Sequence, residues 1–183
     1  ELKPLWHRHL NTGHYPRAAD IDGDGRDEII AGYSLLGSDG TTRWTVEGGD
    51  PDRNRYPGPE HADSVLIGVL DGVSNEARIA MAASDLGFIL MDAHGEVLAH
   101  HLVGHAQSMG AAAFRPDLPG RQFAVQTFWG NPGILYLFDR NGAMLTRAEH
   151  EWVGLKGTVP INWRGDGGAL LLGNGALLDG SLE

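Results

Sequence analysis

The sequence predicts an all-β fold, a β-propeller of four-stranded antiparallel blades, and three observations carry that prediction. An apolar run, a polar residue with glycine, and a second extended run recur four times, as LLGSDGTTRW (35–44), ILMDAHGEVL (89–98), LYLFDRNGAML (135–145) and ALLDGSLE (176–183). Upstream of these, GHYPRAADIDGDG (13–25), EHADSVLIGVLDG (60–72), GHAQSMGAAAFRPD (104–117) and LKGTVPINWRGDG (155–167) align with almost no gaps. No segment has a helical period, and repeats of roughly 40–50 residues with four strands each are the signature of a propeller.

Each element has a local reason. The upstream segments supply the first strand, and DEIIAGY, ARIAMAA, QFAVQTF and GALLLGN follow as short apolar second strands. Asp-Gly, His-Gly and Asn-Gly between β-rich runs are tight hairpin turns that need positive φ, which makes Gly40, Gly95, Gly142 and Gly180 equivalent. LKPLWHRHL at the start repeats the pattern of EVLAHHLVGH and reads as the last strand of a preceding blade. The blades therefore run 1–12 (that last strand), 13–59, 60–103, 104–153 and 154–183, the last incomplete. This one partial domain is expected to be part of a seven- or eight-bladed ring.

Composition narrows the function. The 183 residues include 27 glycines and no cysteine, and carry a net charge of −10. Disulfides, thiolate metal sites and a cysteine nucleophile are excluded. The acidic balance argues against nucleic acid as partner, and no apolar run approaches the roughly 18 residues of a membrane helix.

The sharpest local motif is Asp20-Ile-Asp22-Gly-Asp24-Gly-Arg26-Asp27-Glu28. Carboxylates at loop positions 1, 3, 5 and 9, with the Arg26 carbonyl, can surround a hard cation, and the glycines permit the tight turn. Position 12 is Ala31, inside a strand, which excludes an EF-hand. The spacing resembles the calcium loop of FG-GAP-type propeller repeats, which implies a structural Ca2+ on Asp20, Asp22, Asp24, Arg26 and Glu28. WRGDG (163–167) keeps only Asp166 of the acids and is expected to bind no metal.

The histidines form the second constellation. His14, His61 and His105 stand directly before the first strand of three successive blades, and Lys156 takes that place in the fourth. First strands line the channel of a propeller, so these side chains are expected at one mouth, about 20–26 Å from the acidic loop. Turns between second and third strands bring Tyr33, Ser84, Asp85, Phe128, Trp129, Asn131 and Asn174 to the same face. The long junction 47–60 adds Arg53, Arg55 and Tyr56. Bases, cations and aromatic platforms together suit an anionic sugar chain. His7, His9, His94, His100, His101 and His150 read as solvated.

AADIDGDGRDEIIAGYSLLGSDG followed by EHADSVLIGVLDG resembles the family 11 rhamnogalacturonan lyases, eight-bladed calcium-bearing propellers. His61-Ala62-Asp63 matches the family's histidine–small–aspartate stretch, while Leu66 stands where a second histidine is usual. Related propeller lyases act on ulvan or on rhamnose–glucuronate linkages. The resemblance implies a secreted (extracellular or periplasmic) polysaccharide lyase, monomeric at full length, that cleaves an acidic, uronate-containing polysaccharide by β-elimination. It implies a base from His61 or His105, an acid from Tyr33 or a second histidine such as His14, and substrate contacts from Lys156, Arg53, Arg55, Trp129 and Asn131. Two other classes stay open. One is a non-catalytic FG-GAP-like propeller binding a protein or glycan. The other is a glycosidase with Asp63 and Asp85 as its carboxylate pair.

Overall fold

A computed structural model describes residues 2–46, 61–150, 157–173 and 176–183. Among them the chain is all β, with four antiparallel sheets and no helix. The first sheet runs β1 (Arg17–Ala19), β2 (Glu28–Ala31), β3 (Ser34–Leu36), β4 (Thr42–Thr45). The second runs β5 (Ser64–Gly68), β6 (Arg78–Ala82), β7 (Phe88–Asp92), β8 (Val97–His101), and the third β9 (Ala106–Ala112), β10 (Gln122–Thr127), β11 (Ile134–Phe138), β12 (Met144–Glu149). The fourth has β13 (Val159–Ile161), β14 (Leu170–Gly173) and β15 (Ala176–Leu178). Strand order follows chain order in every sheet, as short hairpin connections dictate. First strands neighbour one another in succession, β1 against β5, β5 against β9 and β9 against β13.

Period-two alternation puts a different apolar set on each face of the middle sheets. In the second sheet Ile79, Met81, Ile89 and Met91 pack with Ile30, Tyr33 and Leu35 of the first. Its other face carries Ala80, Ala82, Phe88 and Leu90 onto Phe123, Val125, Tyr136 and Phe138 of the third. Phe88 stacks on Phe138 with centroids 4.5 Å apart. The third sheet turns Ala124, Leu135 and Leu137 toward Leu171, Leu178 and Leu182. A strand buried on both faces reads as a continuous apolar run rather than as clean alternation. That is why ARIAMAA and QFAVQTF carry almost no charge.

A tryptophan locks neighbouring units together. Trp44 on outer strand β4 lies over the turn of the second sheet, its indole N–H donating to the Ala93 carbonyl at 2.9 Å. Trp6 repeats the contact one unit earlier, donating to the Ser38 carbonyl at 3.0 Å. A Cβ on Gly40 would stand 2.6 Å from Trp6, and one on Gly95 2.8 Å from Trp44. Gly95→Ala, which also meets a φ of 86°, is therefore expected to cost about 1–3 kcal/mol. Urea denaturation measures this, and an unchanged midpoint would contradict the contact.

Residues 2–16 include no strand, but Trp6 makes the contact expected of a last strand, and Arg8 beside it donates to the Gly40 carbonyl at 3.0 Å. Two sequence expectations change. In the fourth hairpin Leu182, not Gly180, holds the turn. Its N–H donates to the Asp179 carbonyl as Gly142 N–H does to Asp139, and its φ is 67°. Burial of the Leu182 side chain in the third core cluster holds that conformation. Nor are all the remaining histidines solvated. His101 packs against Phe138, with ring centroids 4.8 Å apart, and bonds the Gly142 carbonyl at 2.7 Å, and His150 bonds the Leu182 carbonyl at 2.7 Å.

Candidate functional site

Strand pairing sets the register of the histidines and corrects the sequence alignment. Ala19, Gly68 and Ala112 are equivalent, each pairing with the first residue of its second strand, Glu28, Arg78 and Gln122. Counting back from them, His14 matches Asp63 and Gln107, whereas His61 and His105 match Thr12. His14 is thus displaced by two residues, because counting forward from the same residues Asp22-Gly23, and not Asp24-Gly25, matches Asp71-Gly72. A displacement of two keeps a side chain on the same strand face, so the three histidines still meet.

They meet at Asp63, whose side chain is 1% exposed. His14 Nδ1 lies 3.1 Å from Asp63 Oδ1 and His61 Nε2 3.5 Å from the same oxygen. His105 Nε2 stands 3.2 Å from Oδ2. The His14 and His61 rings are 4.6 Å apart. Gln107 Nε2 donates to Oδ1, and the Ser84 hydroxyl is 2.6 Å from Oδ2 and 2.7 Å from the His61 carbonyl. Burying a carboxylate is costly unless it is paired and hydrogen-bonded, and this one gathers partners from all of the first three sheets.

Local backbone explains the convergence. His14 N–H donates to the Ala62 carbonyl at 3.0 Å, which ties the entry to β1 onto the entry to β5. A Cβ on Gly13 would stand 2.4 Å from that carbonyl oxygen, so glycine is required there. Ser84 holds a φ of 52° in the β6–β7 turn, and its carbonyl accepts Ala106 N–H at 2.9 Å. That bond draws His105 into place, where its Nδ1 meets Asp85 Oδ1 at 2.8 Å. Side-chain exposure grades the three rings: 49% for His14, 35% for His61 and 10% for His105.

The turn that carries Phe128, Trp129 and Asn131 adjoins this site, with Phe128 N–H donating to the His105 carbonyl at 2.9 Å. Tyr33 is fully buried in the core between the first two sheets, in the cluster that also holds Ala62 and Val65. Asn131 spends its amide on the Val103 carbonyl at 3.0 Å. Trp129 is exposed and packs edge-on against Phe128. Lys156, Arg53, Arg55, Tyr56 and Asn174 lie outside the described residues.

The acidic loop lies at the other end of β1, about 20 Å along the chain from His14 at 3.3 Å per residue. Asp20, Asp22 and Glu28 bring carboxylate oxygens within 4.8 Å of one another. Asp20 also accepts Gly23 and Gly25 N–H at 2.7 and 2.9 Å. Asp24 does not join the cluster; it caps the Arg26 N–H at 2.8 Å. Arg43 of β4 pairs with Asp22 at 2.7 Å and Glu28 at 2.9 Å. The Arg43 hydrogen bond holds the Asp22 carboxyl below the usual carboxylate range. His14, His61 and Asp63 form a second group of potential ligands within 4.8 Å.

Sequence reasoning missed two residues of this picture and underrated a third. Arg43 sits in an ordinary hairpin and gives no signal. Gln107 becomes visible only once strand register aligns it with Asp63. Asp63 itself stood in the His-Ala-Asp stretch, where alternation already set it on the face opposite Ala62.

No protein-family model matches the sequence, and no curated protein matches it. Solved structures do resemble the fold. The exotype rhamnogalacturonan lyase YesX matches with a TM-score of 0.61 and 23% identity, over 94% of this chain and 31% of its own. The Bacillus licheniformis rhamnogalacturonan lyase PL11 matches at 0.60 and 18%, over 96% of this chain and 30% of its own. BBS1N, solved in complex with ARL6DN, matches at 0.52 and 14%, over 91% and 54%. The chain thus spans about a third of the lyases it resembles, and the likeness is one of fold.

Proposed function

We propose that this chain is part of a β-propeller polysaccharide lyase that cleaves a uronate-containing polysaccharide by β-elimination. The observation that carries the reading is the meeting of His14, His61 and His105 on one buried carboxylate, on a fold shared with rhamnogalacturonan lyases. Each sheet then corresponds to a blade, and the site lies where the first strands come together.

In the proposed reaction a base removes the C5 proton of the uronate. The C5–H electron pair forms the C4=C5 double bond, the C4–O bond breaks, and an acid protonates the departing oxygen. A positive group beside the uronate carboxylate favours loss of that proton. Histidine titrates near neutrality and can serve as either acid or base. His61 and His14 suit the pair, being adjacent and partly exposed. His105, held between Asp63 and Asp85, supports them, and the buried Tyr33 is left out. An acidic polysaccharide or its oligosaccharides would be the partner, the site of action extracellular or periplasmic, and the full-length protein monomeric. Among the described residues no helix is long and apolar enough to cross a membrane.

The test is incubation of the active protein with rhamnogalacturonan or ulvan, following the ultraviolet absorbance of a 4,5-unsaturated uronate. Products without the chromophore would favour the glycosidase, and binding without cleavage the adhesion-type propeller.

The acidic loop would hold one structural Ca2+. The hard oxygens of Asp20, Asp22 and Glu28 already converge, and Asp24 and the Arg26 carbonyl are close enough in sequence to join them. A cation bound only by the native state stabilises it by about 2.7 kcal/mol at a hundredfold excess over Kd. Chelator is therefore expected to lower the melting temperature, and an unchanged temperature would remove calcium from the reading.

A further inference from the structure

Arg43 reaches from β4 across the acidic loop, and its two terminal nitrogens engage two of the three convergent carboxylates. Nη1 donates to Asp22 Oδ2 at 2.7 Å, and Nη2 lies 2.9 Å from Glu28 Oε1. Glu28 is fully buried. Its Oε2 accepts the Ile21 N–H at 3.2 Å, whereas Oε1 is buried without any hydrogen bond and meets Arg43 only as a charge contact. A buried carboxylate oxygen is thus aimed into the loop and left incompletely satisfied.

We propose that Arg43 is a built-in counter-cation of the acidic loop, competing with a divalent cation for Asp22 and Glu28. The inference rests on the calcium reading above and concerns how that site is filled. Calcium takes oxygens at about 2.3–2.6 Å, so it would claim the oxygens that Arg43 now contacts, and the two positive groups would repel. Displacement leaves the guanidinium in a cleft of about 540 Å³ between the first two sheets, lined also by Glu76 and Asp92. Those carboxylates of the neighbouring sheet keep the displaced side chain in acidic surroundings. The loop therefore has a positive partner in either state, and its cation affinity is set partly by a residue that is not a ligand.

Calorimetric titration of calcium chloride into the whole chain tests this with Arg43→Gln, which keeps a polar side chain but removes the charge. The variant is expected to bind calcium about fivefold more tightly than the unaltered chain, the factor that corresponds to losing one exposed ion pair. Its melting temperature in chelator is expected to fall, and the deficit to close at saturating calcium. Adding Asp22→Asn should abolish the gain, which locates it at this loop. Tightening in Arg43→Gln supports the competition, even if the unaltered chain binds too weakly to measure. Equal or weaker binding by the variant overturns the competition and leaves the calcium reading standing. A gain that survives Asp22→Asn also overturns it. Absence of binding in both chains overturns the calcium reading and the competition together.

Discussion

Asp63→Ala is expected to lower turnover on a uronate polysaccharide by about 10²–10⁴-fold, the range that general acid–base catalysis contributes. Asp63 would not touch the sugar. It acts through the three histidines, which share its two oxygens and have no other common partner among the described residues. Without it the His14 and His61 rings lose the contact that sets their separation, and a misplacement of about 1 Å can cost 10²-fold in rate. The loss should fall on kcat, with KM little changed. A purely structural role would instead move the folded fraction, so far-ultraviolet circular dichroism of the variant must stay native. Histidine ring signals in NMR give an independent readout, because those of His14, His61 and His105 should all shift together. Turnover within a fewfold of the unaltered protein would show that the cluster is not the catalytic centre.

Asp71→Ala is expected to be strongly destabilising, costing about 3–5 kcal/mol, as breaking a buried ion pair does. Asp71 is fully buried. It accepts Val73 and Ser74 N–H at 3.0 Å, the Ser74 hydroxyl at 2.7 Å, and faces Arg78 at 3.6 Å. Arg78 in turn donates to the Arg140 carbonyl at 3.0 Å in the next sheet. Burial alone would raise the Asp71 pKa, but those hydrogen bonds and the Arg78 charge outweigh it and hold the carboxyl below its ordinary value. A depressed carboxyl contributes stability that is present above its unfolded value and is lost as pH falls through its folded value. Melting temperature should therefore fall with acid below about pH 4, and less steeply in Asp71→Asn. Equal acid slopes for the two proteins would assign the loss to other carboxylates.

The repeat was legible because turns and strand periods are local. Gly40, Gly95 and Gly142 announce their hairpins, and Ile79, Met81, Ile89 and Met91 announce buried strands. The fourth turn was misread because Gly180 offers the usual signal. Leu182 takes the positive φ only because its side chain is needed in the core. The alignment at His14 failed because the first loop holds two Asp-Gly pairs in succession. Only hydrogen-bond register shows that Asp22-Gly23 is the pair that matches Asp71-Gly72. The three histidines still meet at Asp63, since a slip of two residues preserves the face. Tyr33 went the other way. A turn tyrosine reads as exposed until the neighbouring sheet is seen to cover it.

The carboxylate of Asp63 belongs to one sheet, but two of its three histidines come from the sheets on either side. Its two oxygens gain their full set of contacts only after three separate hairpin assemblies have docked. Any chain cut to one or two repeats would leave that acid facing water or a bare core. If the proposed lyase reading holds, activity would depend on assembly order and would appear late, when the third unit closes on the second. Refolding followed by activity and by strand signal should then separate in time, with the strands forming first.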